Sequence, residues 1–67
     1  MSPGWWRGEM LKRARERRAI TQAALAAKVG VHQVTIARIE TGARNPSMTL
    51  LQKIAKALKV SLTDLLE

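Results

Sequence analysis

The chain has 67 residues, no cysteine and one histidine, His32. Disulfides and thiolate metal sites are thereby excluded, and a lone histidine does not build a zinc centre, so no metal or cofactor is expected. Twelve basic residues oppose five acidic ones, a net charge of +7 with a pI near 11.3, and that excess points to a polyanionic partner.

A nucleic acid is the first candidate for that partner and an anionic membrane surface the rival. No apolar run approaches the roughly 20 residues that span a bilayer. Trp5-Trp6-Arg7 leads straight into a charged stretch, unlike a signal peptide. A cytoplasmic protein with no membrane partner is expected. A domain of this size buries only roughly 60% of its unfolded surface, which demands tight helix packing, self-association or both.

Residues 1–7 read as an irregular N-terminal arm, broken by Pro3 and Gly4, and residues 8–67 as one domain. Trp5 and Trp6 are expected to pack over the bundle or at a subunit contact. From Gly8 to Arg18 strong helix formers follow one another, with Met10, Leu11 and Ala14 as a narrow apolar stripe. Ala19-Ile20 is a short connection. Thr21 suits an N-cap for a helix over Gln22–Val29, whose apolar face is Leu25, Ala26 and Val29. Gly30 stops it. Val31 and His32 open a third helix that runs to about Thr41, with Ile36 and Ile39 inward and Gly42 as the stop. Ala43–Pro46 is a loop. Ser47 caps a fourth helix with Leu50, Leu51, Ile54, Ala55 and Leu58 on one side. Ser61 and Asp64 make a capping pattern for a short fifth helix carrying Leu62, Leu65 and Leu66. The fold class is all-α, a compact bundle of five short helices.

Residues 22–41 carry the functional signal. Two helices joined steeply across a short turn need a small residue at the crossing, and Ala26 is there. They need a turn residue tolerant of positive φ, and Gly30 is there. The outward positions of the second arm are His32, Gln33, Val34, Ala37, Arg38 and Thr41. Gln and Arg are side chains suited to base edges. No His–carboxylate–nucleophile grouping, glycine-rich phosphate loop or paired acid cluster stands anywhere, so an enzyme is not expected.

With Leu11…Arg15, TQAALAAKVGV, TIARIETGARNPS and LLQKIAKALKVSLTDLL, residues 8–66 resemble the phage repressor and Cro family, the lambda repressor-like helix-turn-helix domains. The resemblance implies sequence-specific binding to double-stranded DNA and transcription regulation, most simply by a repressor acting as a homodimer on a palindromic operator. It implies that Gln33, Val34 and Arg38 read bases. Thr35, Arg44 and Asn45 would approach the DNA backbone, with His32 near a phosphate. Gln22 would contact phosphate and brace the recognition glutamine, Gln33. Arg15 and Glu40 would form a structural ion pair. The family often has glycine where Ala19 and Lys59 stand, so differently built turns are expected there. His32 replaces the usual Ser or Thr cap, so the third helix is expected slightly out of register. Two alternatives keep DNA binding: an antitoxin that also masks a toxin, and a controller protein of a restriction–modification system.

Overall fold

The computed structural model describes residues 5–66. These form five helices and no strand: α1 (Glu9–Arg17), α2 (Gln22–Val29), α3 (Gln33–Thr41), α4 (Met48–Leu58) and α5 (Leu62–Leu66). Each turns one apolar stripe into a shared core. Leu11 and Ala14 come from α1, Leu25, Ala26 and Val29 from α2, and Ile36 and Ile39 from α3. From α4 come Leu51, Ile54, Ala55 and Leu58, and from α5 Leu65. The main packing pairs are α2 with α3 and α4, α1 with α3 and α5, and α4 with α5. The bundle thus seats α3 on α1 and α2.

Helices α1, α2 and α4 end alike. Ala19, Gly30 and Lys59 are left-handed, with φ of 54°, 77° and 57°. The next amide then reaches five residues back: Ile20 to the Arg15 carbonyl at 3.2 Å, Val31 to Ala26 at 3.0 Å, Val60 to Ala55 at 3.0 Å. This is the Schellman closure, in which the residue after the left-handed one packs inward. Ile20, Val31 and Val60 do pack against the core. The turns at Ala19 and Lys59 are therefore built as glycine turns without glycine, contrary to the expectation from sequence. The closing hydrogen bonds and the partly buried branched side chain offset the roughly 1–2 kcal/mol of left-handed strain. Two guanidinium contacts help: Arg15 Nη1 donates to the Ile20 carbonyl at 2.8 Å and Arg18 Nη2 to the Lys59 carbonyl at 3.1 Å.

The Schellman closure also corrects the start of the third helix. Val31 belongs to the end of α2, so His32 is extended (φ −75°, ψ 150°) and α3 begins at Gln33, not at Val31 or His32. The His32 side chain makes no cap hydrogen bond. Other caps follow the sequence reading. Thr21 Oγ1 accepts from the Ala24 amide at 3.0 Å and Ser47 Oγ from Leu50 at 3.1 Å. Ser61 and Asp64 cap each other's amides at 3.1 and 3.2 Å. Helix α1 runs one residue shorter at each end than expected.

In the segment before α1, the expected packing of a tryptophan over the bundle is met by Trp6. Trp6, assigned to an irregular arm, is 1% exposed and belongs to the core. Its indole Nε1 donates to the Ile39 carbonyl at 2.9 Å. Trp5 stays 49% exposed, its ring 6.0 Å from that of Trp6 and inclined at 57°. Gly8 is buried with φ of 89°, and a Cβ there would lie 2.3 Å from the Ile39 carbonyl oxygen and 2.4 Å from that of Glu40. Pro3 and Gly4, the expected breakers, lie outside the described residues.

Candidate nucleic-acid interface

Helix α3 is divided cleanly around its axis. At 100° per residue, Gln33, Ala37, Thr41, Val34 and Arg38 fall within an arc of roughly 140°. Gln33, Val34, Arg38 and Thr41 in that arc are exposed, Val34 at 55%, and Ala37 is half-buried. The opposite arc holds Ile36, Ile39 and Glu40, all buried, with Thr35 half-buried at its edge. Ala37, a methyl group between Gln33 and Arg38, leaves the helix backbone free to approach another surface closely. With its side chains a helix is roughly 10–12 Å across, and the major groove of B-DNA is about 12 Å wide.

The far end of α3 is organised by Glu40, 5% exposed. Arg15 Nε donates to Glu40 Oε2 at 2.5 Å and Arg15 Nη2 to Oε1 at 3.1 Å, a forked pair. Hydrogen bonding to Glu40 holds the Arg15 pKa above its usual value, against the opposing effect of burial. Gln22 Nε2 also donates to Glu40 Oε1, at 3.0 Å. An ionised carboxylate only accepts, so the Gln22 amide must turn its NH2 group inward. Here Gln22 braces Glu40 rather than Gln33, because the buried carboxylate has the stronger demand for a donor. The amide's second hydrogen and its carbonyl oxygen are left for other partners. Among the described residues no buried side-chain N or O atom lacks a hydrogen bond.

The loop after α3 is shaped by Thr41, whose hydroxyl donates to the Arg38 carbonyl at 3.0 Å and accepts from the Ala43 amide at 3.4 Å. The Arg44 amide reaches the same Arg38 carbonyl at 3.2 Å. The backbone that carries Arg44 is thus tied to that of Arg38, with both side chains exposed. Asn45 is half-buried and Pro46 buried. His32 is exposed at the other end of α3. Two further cations stand beside the site. Arg7 and Lys12 line a shallow cleft with Glu9, Gln22, Glu40 and Thr41. Only the packing of α1 against α3 brings them there, and no sequence spacing signals it.

The chain matches the helix-turn-helix family over residues 11–65. It is 46% identical over 59 residues to an uncharacterized HTH-type transcriptional regulator of Archaeoglobus fulgidus, covering 84% of each chain. It is 38% identical over 53 residues to antitoxin HipB of Escherichia coli O6:H1, covering 79% of this chain but 56% of HipB. Its fold is similar to that of the P22 c2 repressor protein, solved in complex with synthetic operator 9T. The TM-score is 0.83 at 37% identity, with 90% of this chain and 91% of the repressor covered. The sequence match and the shared fold agree: this chain belongs to the helix-turn-helix family, in its phage repressor-like form.

Proposed function

We propose that the chain is a sequence-specific reader of double-stranded DNA that regulates transcription, without enzymatic activity, as a dimer on a palindromic site. The observation that carries this reading is the exposed arc of α3, whose polar side chains stand on a helix anchored from behind by Ile36, Ile39 and Glu40. Gln33, Val34 and Arg38 read base edges. Gln suits the N6 and N7 groups of adenine, Arg the O6 and N7 acceptors of guanine, and Val the thymine methyl. Gln22, His32, Thr35, Arg44 and Asn45 face the sugar–phosphate backbone, joined by Arg7 and Lys12. Such contacts fix register and supply salt-dependent affinity without reading sequence. The likeness to an operator-bound repressor supports this reading.

Selection from a random duplex library tests it. The expected result is a symmetric motif with half-site centres one helical turn, about 34–36 Å, apart. Failure to enrich any motif, with equal binding to all duplexes, would contradict it. The similarity to HipB favours a second reading, an antitoxin that also binds a toxin. That reading expects rescue of growth when the chain is expressed with the product of a neighbouring gene that is toxic alone.

A further inference from the structure

Building on the DNA-reading role, we propose that Trp6 is a positioning residue for sequence discrimination: its indole N–H, with Gly8, clamps the C-terminal end of the recognition helix. The contact joins residues 33 positions apart in the chain, with Trp6 Nε1 donating to the Ile39 carbonyl at 2.9 Å. Carbonyls in the last turn of a helix lack intrahelical partners and are where an outside group can take hold. Ile39 O accepts from the Gly42 amide at 3.2 Å as well as from Trp6. Gly8 closes on the same turn, leaving no space for a Cβ beside the Ile39 and Glu40 carbonyls. Arg15 and Gln22 hold the Glu40 side chain one residue further on. The last turn of α3 is therefore gripped from α1, from α2 and from the segment preceding α1.

This grip bears on reading more than on gripping DNA. Ile39 directly follows Arg38, and Arg38 stands on the same rigid helix as Gln33 and Val34. Hydrogen bonds to base edges are made at about 2.7–3.2 Å and are lost by about 3.6 Å, so a helix end displaced by roughly 1 Å loses them. Phosphate contacts made by long flexible cations tolerate such a shift. Freeing the last turn of α3 lowers affinity for the selected sequence while leaving general affinity nearly intact.

The test uses the full chain, a duplex from the selection and a scrambled duplex of equal length. Trp6→Phe keeps a ring in the core and removes the donor. An analogue with benzothienylalanine at position 6 keeps the bicyclic shape as well, and so preserves folding if Phe does not. Val60→Ala, a loss of packing between α4 and α5, serves as the control for general destabilisation. With each protein folded at the assay temperature, both Trp6 variants are expected to lose about three- to tenfold in the ratio of selected to scrambled affinity. Binding to the scrambled duplex should stay within about twofold, and Val60→Ala should keep the parental ratio. Discrimination at the parental level in either folded Trp6 variant would overturn the proposal. A parent that does not discriminate would overturn the DNA-reading role itself.

Discussion

Glu40 shows how one side chain ties recognition to stability. It is buried, it pairs with Arg15, and it receives Gln22 from the start of α2. Removing one member of a buried ion pair costs about 3–5 kcal/mol, because the other charge is left uncompensated. A domain of 67 residues holds only about 3–10 kcal/mol in total. Glu40→Ala is therefore expected to lower the thermal unfolding midpoint by more than about 10 °C. A midpoint equal to the parent's would mean that the pair contributes nothing. Arg44 belongs to a different class of residue, an exposed cation on a loop held by the Arg38 carbonyl. Arg44→Ala should weaken binding to all duplexes alike and reduce the slope of log K against log salt by about one unit per lost phosphate contact. A changed base preference with an unchanged slope would instead make Arg44 a base reader.

At the scale of the element, helix ends decide where the functional groups stand. Lys59 adopts a left-handed conformation that costs a side-chain-bearing residue about 1–2 kcal/mol, and glycine returns part of that gain as unfolded-state entropy. Lys59→Gly is expected to stabilise the fold by about 0.5–1 kcal/mol, a rise of roughly 2–8 °C on thermal unfolding. A lower midpoint would show that the lysine contributes contacts that outweigh the strain. These ends also explain what could be read in advance. The five helices, their inward faces and the Thr21, Ser47 and Ser61 caps were legible because apolar period and cap chemistry are local properties. The start of α3 was not, since it depends on Val31 being drawn into the closure of α2. At Ala19 and Lys59 the lack of glycine hides a turn that is closed by the branched residues that follow, Ile20 and Val60. That a tryptophan packs over the bundle was legible; that it is Trp6 was not. Two adjacent tryptophans have no period to say which faces inward, and its partner, Ile39, lies 33 residues away. For the site, the outward face of α3 was legible from periodicity, whereas the turning of Gln22 toward Glu40 and the approach of Arg7 and Lys12 follow from tertiary packing.

The dimensions of the whole molecule bear on how it meets DNA. The body measures 26 × 23 × 20 Å, smaller than the roughly 34–36 Å between successive major-groove segments on one face of a duplex. A single copy offers one recognition helix to one such segment, and one small module buries too little surface for high specificity. Two copies are therefore expected on the selected site, giving a sedimentation mass of two chains per duplex. One chain saturating a single isolated half-site would contradict the dimer. Base reading by α3 requires Arg38 to discriminate between base pairs. It is tested most directly by binding isotherms of the parent and Arg38→Ala on every single-base-pair variant of the selected duplex. The expected result is a loss of about 1–3 kcal/mol on the selected site and a relaxed preference at one base pair per half-site. Equal weakening on every variant, with the base preference unchanged, would contradict it and place Arg38 on the phosphates.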